Sequence, residues 1–129
     1  MKKKLLREGP YGDFFSQGVQ VDNVLTMAGQ IAVDENGNTP ADFKSQMIIC
    51  YENISKILDH FGGSLENIID ETWFVTDMNE CMENVSEIFA EREKIYGCKP
   101  EVSQTLIGVN ALVQPNLKIE IKCIAHFEK

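Results

Sequence analysis

Apolar residues recur at three- and four-residue steps over two stretches of the chain and alternate with polar ones over several others. The first helical stretch carries Phe43, Met47, Cys50, Tyr51, Ile54, Ile57, Leu58 and Phe61, a stripe wide enough to cover one face of a sheet. Its start is expected at Thr39 as N-cap, with Pro40 in the first helical position and Asp42 in the first turn. Gly62-Gly63 stops it. A second helix is expected over residues 79–96, with Met82, Val85, Ile88, Phe89, Ile95 and Tyr96 on one face and Gly97 at its end. Glu80, Glu83, Glu87, Glu91 and Glu93 fall largely elsewhere on it. Strands are expected over residues 3–7, 16–21, 24–31, 68–75, 102–109 and 117–127. Asp22-Asn23 supplies two residues that tolerate positive φ, so the second and third of these read as a tight hairpin. Glu35-Asn36-Gly37-Asn38 is a turn cluster. In the last strand Ile119, Ile121, Cys123, Ala125 and Phe127 share one face, while Lys118, Glu120 and Lys122 share the other.

The order strands, helix, strand, helix, strands, without repeat or linker, predicts one α+β domain over residues 1–129. Its expected form is a six-strand mixed sheet with both helices on one face. Two helices of this length cover only one side of such a sheet, so the other side is expected to meet further subunits.

Composition narrows the function classes. Apolar residues make up 43% and charged residues 25%, ordinary values for a globular protein. No apolar run approaches the ~20 residues of a membrane span and no secretory leader is visible, so the expected location is the cytoplasm, without membrane contact. A formal net charge of −8 argues against nucleic acid as a partner, because such binding rests on Lys and Arg neutralising phosphates. Cys50, Cys81, Cys98 and Cys123 form no CxxC pair, and His60 and His126 stand apart from each other. Four reduced thiols and neither metal nor cofactor are therefore expected. A Cys98 or Cys123 nucleophile served by His126 is disfavoured, since His126 follows Cys123 too closely along one strand.

Several stretches, taken together and in order, resemble the reactive intermediate deaminase (Rid, or YjgF-like) family, also labelled L-PSP endoribonuclease. They are Gly29-Gln30-Ile31, Asn53 to Leu58 followed by Gly63-Ser64-Leu65-Glu66-Asn67-Ile68, Thr72 to Asn79, and Lys118-Ile119-Glu120-Ile121 with Ile124-Ala125. The resemblance covers nearly the whole chain. It implies a fold similar to the chorismate mutase of bacilli, a homotrimer, and small-molecule clefts between adjacent subunits. Archetypal members hydrolyse enamines and imines such as 2-aminoacrylate to a 2-keto acid and ammonia. In them an arginine of the next-to-last strand grips the substrate carboxylate and a glutamate of the last strand helps hold the attacking water.

Carried onto this chain, the resemblance makes Glu120 the water-holding, catalytic glutamate and Gly29, Gln30 and Ile31 the cleft-lining loop. The arginine is missing: Gln104 or Thr105 stands in its place, and no arginine follows Arg92. Phe15 takes the place of a cleft tyrosine, and a cleft asparagine of the helix falls at Val85, with Asn84 one place off. Phe15, Gln104 and Thr105 join the loop as expected ligand-binding residues. Lys99, Arg7 or a neighbouring subunit's lysine would be the substitutes for the lost charge. A carboxylate without its guanidinium partner loses several kcal/mol, on the order of a charge-assisted pair, so 2-aminoacrylate is not the expected substrate. Two readings follow: a hydrolase acting on another enamine, imine or related metabolite, or a non-catalytic trimer that binds a metabolite as sensor or regulator. Ribonuclease action on single strands fits poorly with a charge of −8 and no basic-aromatic patch.

Overall fold

A computed structural model describes residues 1–128. The elements are β1 (Lys4–Leu6), β2 (Gly18–Val21), β3 (Val24–Met27), β4 (Gln30–Ile31), α1 (Phe43–His60), β5 (Ile68–Val75), α2 (Met78–Glu83), α3 (Val85–Tyr96), β6 (Ser103–Gly108) and β7 (Ile119–His126). A single 3₁₀ turn at Leu65–Asn67 leads into β5. Across the sheet the strands run β1-β2-β3-β7-β5-β6, and β4 pairs with β7 as a seventh strand. Only β5 and β6 are parallel, which makes the sheet mixed. The architecture is α+β, as expected.

The β2–β3 hairpin turns where Asp22-Asn23 predicted it: Val21 pairs with Val24, and Asp22 takes a left-handed φ of 52°. The expected strand over 24–31, however, is broken into β3 and β4. On the β7 side the partners run from Ile124, opposite Thr26, to Ile121, opposite Gln30. Four steps on one strand thus match three on the other. The extra residue makes a bulge around Ala28-Gly29, a device that bends a strand and re-aims its side chains.

All eight stripe residues of α1 are buried against the sheet, where they meet Leu25, Met27, Trp73, Ile119, Ile121, Cys123 and Ala125. Burying each large apolar side chain is worth about 1.5–3 kcal/mol, so this contact dominates the fold. The helix starts later than its sequence signals suggested. Asp42, not Thr39, is the N-cap and accepts a 3.0 Å hydrogen bond from Ser45 N. Pro40 lies outside the helix and lends its carbonyl to Gln46 Nε2. The expected second helix is two: Asn84, at φ −113° and ψ 17°, ends α2 and begins α3, with its amide on Glu80 O. The kink leaves Met82 half exposed. Gly97, at φ 78°, closes α3.

The helices cover one face of the sheet. On the other, strand alternation places Val19, Val24, Thr26, Thr72, Phe74, Thr105, Ile107, Glu120, Lys122 and Ile124, and no element of the described chain packs over them.

Candidate functional site

The bulge at Ala28-Gly29 brings the chain hard against β7. A Cβ on Gly29 would overlap the Glu120 carboxylate, so only glycine lets the two approach this closely. Ile31 pairs directly with Glu120 across the β4–β7 ladder. The Gln30 side chain folds back, its amide donating to Ala28 O at 2.9 Å and to Gln17 Oε1 at 3.1 Å. Asn53 of α1 fixes the following segment, donating to both Ile31 O and Val33 O at 3.0 Å.

These residues border a cavity of about 700 Å³, the size range of a metabolite site. Phe15, Gly29, Gln30, Ile31 and Glu120 all line it, together with Tyr11, Gln17, Asn53, Lys56 and Gln114. Five of the seven residues singled out in the sequence are therefore brought together. Tyr11 was missed. Its ring stacks on Phe15 with centroids 5.8 Å apart and planes 13° apart, so a tyrosine lines the same cavity although Phe15 carries no hydroxyl.

Glu120 is half-buried, and no donor among the described residues hydrogen-bonds to its carboxylate. Burial pushes the Glu120 carboxyl above the usual carboxylate range, with the Lys122 charge pulling the other way. A carboxylate in this condition is ready to accept a proton or a hydrogen bond from a water or an amine.

Gln104 and Thr105 do not reach this cavity within one chain. The structure separates their roles. Gln104 pairs with Glu71 in the parallel β5–β6 ladder and turns its side chain toward the helices, where Nε2 donates to Glu71 Oε1 at 2.9 Å. Its amide is thus engaged in the core of this chain. Thr105, one position on, lies on the uncovered face with Thr72 and Glu120. Val85 and Asn84 are likewise spent at the α2–α3 junction rather than at the cavity.

Glu71 is the centre of a network that sequence reading missed. It is fully buried and accepts four hydrogen bonds: Arg92 Nε at 2.7 Å and Gln104 Nε2 at 2.9 Å on Oε1, Tyr51 Oη at 2.9 Å and Tyr96 Oη at 2.7 Å on Oε2. Trp73 Nε1 donates to Tyr51 Oη at 3.2 Å. Burial, and then the Glu71 charge, pushes the Tyr51 phenol far above its ordinary range, so it stays a donor. With its lone pairs filled, Glu71 holds α1, α3, β5 and β6 together and has nothing left for a ligand. Gln46 does similar work at the other end of α1: fully buried, it donates to Pro40 O and Asn116 O and accepts from Lys118 N.

The α+β sheet has helices on one side and a glutamate-bearing cavity at a bulge, and comparison names the family. Residues 7–127 match the Ribonuc_L-PSP family model, described as Endoribonuclease L-PSP. A RutC family protein of Aquifex aeolicus is 34% identical over 118 residues, covering 91% of this chain and 88% of that protein. TdcF of Escherichia coli, provisionally named a reactive intermediate deaminase, is 31% identical over 121 residues, covering 91% and 86%. The crystal structure of E. coli TdcF with bound serine superimposes with a TM-score of 0.79 at 27% identity, covering 96% of this chain and 93% of that one. The chain belongs to the L-PSP/RutC/YjgF family.

Proposed function

We propose that this chain assembles as a homotrimer and hydrolyses an enamine, imine or related small metabolite other than 2-aminoacrylate in clefts completed between subunits. The observation that carries the reading is Glu120: half-buried, free of hydrogen-bond donors among the described residues, and aimed into a metabolite-sized cavity beside the Gly29 bulge. Such a group orients a water for attack on an imine carbon and takes up the proton released. The open face of the sheet, with Phe74, Ile107 and Ile124 among its residues, supports assembly, because an apolar surface of this kind is normally covered. The naming of TdcF as a deaminase, and its binding of serine, supports a small amino- or imino-compound as ligand. Gln104 or Thr105 in place of an arginine favours a second reading, a metabolite-binding trimer without catalysis.

Imines released by an amino-acid oxidase, which carry a carboxylate, and by an amine oxidase, which do not, provide the test, followed by decay with and without the protein. At least one imine should decay faster with the protein present, and Glu120→Gln should abolish the effect. Binding without acceleration of any imine would leave the non-catalytic reading. Sedimentation should give about three times the 14.6 kDa chain mass, and a monomer would remove the inter-subunit cleft.

A further inference from the structure

Resting on the reading of the cavity as the ligand site, we infer that its ligand is an organic cation, an ammonium or amidinium carried on a flat or apolar body, rather than a carboxylate. Two features of the same cavity support this from different sides. The first is charge. Glu8, Asp34, Glu35 and Glu120 line the cavity, against Lys56 alone, and Lys56 Nζ lies 3.9 Å from Glu35 Oε2 in an exposed pair. An anion entering would leave water for a net negative lining, while a cation would be drawn in. Asp34 already spends one oxygen on Asn36 N and Asn38 N, both at 2.9 Å, and Glu8 and Glu35 are exposed to water, so the half-buried Glu120 is the acid best placed to meet the charge away from solvent. Burial holds its carboxyl up, and a cation beside it would pull it down, favouring the charged form.

The second feature is the stacked pair of Tyr11 and Phe15, which offers aromatic surface to the same space. Aromatic faces attract organic cations through the ring quadrupole and bury their apolar bodies. A carboxylate would meet the opposite sign of interaction at those faces. Thr105 adds no positive charge, and a neighbouring copy of a chain with net charge −8 brings more acid than base overall.

The test uses the intact protein and three probes of one shape: benzylamine, benzyl alcohol and benzoate. Titration at neutral pH and moderate salt, with amide shifts read by NMR, gives affinity and location together. Benzylamine should bind at least ten-fold more tightly than benzoate, shift the amides of Gly29, Gln30 and Ile31, and lose at least ten-fold in affinity in Glu120→Gln. Tighter binding of benzoate at the same amides would overturn the charge preference and leave the cavity reading intact. Benzylamine affinity unchanged in Glu120→Gln would also overturn the inference. Absence of shifts at those amides with all three probes would overturn both the inference and the cavity reading.

Discussion

Replacing Arg92 by methionine tests how much of the fold rests on the buried carboxylate network. The guanidinium Nε lies 2.7 Å from Glu71 Oε1, with the two side chains 10% and 0% exposed. Methionine fills much of the same volume but leaves the buried Glu71 carboxylate with three neutral donors, Tyr51, Tyr96 and Gln104, and no cation. Stranding one member of a buried pair costs about 3–5 kcal/mol. The guanidinium carbon also lies 5.5 Å from the Phe89 ring centroid and 5.3 Å from that of Tyr96, contacts worth about 0.5–1 kcal/mol each that are lost with it. Arg92→Met should therefore remove on the order of 4 kcal/mol from a total that for most domains is about 5–15 kcal/mol. By contrast Lys44→Met, which breaks the exposed Lys44–Glu87 pair, should leave the urea midpoint nearly unchanged. Urea unfolding at one fixed protomer concentration measures both, since assembly makes the midpoint depend on concentration. Adding Glu71→Gln to Arg92→Met should give back part of the loss, because the stranded charge is gone. An Arg92→Met loss below about 1 kcal/mol, or strict additivity in the double variant, would refute the view that Glu71 is a charged, saturated hub.

Two further outcomes follow from single contacts. Gly29→Ala places a methyl group into the Glu120 carboxylate, so ligand affinity or imine turnover should fall at least ten-fold while far-UV circular dichroism shows the fold retained; unchanged binding would show that the close approach is not needed. Asp42→Ala removes the α1 N-cap and should cost about 1 kcal/mol at neutral pH in urea unfolding. The Ser45 amide holds the Asp42 carboxyl below its unfolded value, so this contribution is present above about pH 4 and lost as pH falls through the folded value. The variant and the parent should thus converge in strong acid.

Much of the fold was legible because burial is periodic. The stripe from Phe43 to Phe61 has one interpretation at helical spacing, and all of it is buried. Strand β5 was read with its observed bounds for the same kind of reason. The helix over 79–96 was misread because Asn84 is an ordinary helix-face polar residue until its amide is seen to cap Glu80 O. The bulge at Ala28-Gly29 was hidden because an alternating run looks alike whether or not its partner strand keeps step. Glu71 could have been found. Alternation from Trp73 and Val75 puts it on the core face, and Arg92 lies one helical turn from Ile88 on the buried side of α3. Neither the buried acid nor the buried base on the facing element is singled out by a motif. Which faces Gln104 and Thr105 take could be read only from the strand register, which places Gln104 beside Glu71 and Thr105 on the open face.

That register allows the central claim, a family cleft without its carboxylate grip, to be tested by restoring the grip. The decay of 2-aminoacrylate released by a serine dehydratase would be followed with the parent chain, Thr105→Arg and Gln104→Arg. The parent should leave the rate near that of the protein-free control, Thr105→Arg should accelerate it at least ten-fold, and Gln104→Arg, whose side chain starts in the Glu71 network, should not. Rapid decay with the parent chain, or a gain with Gln104→Arg alone, would contradict the account.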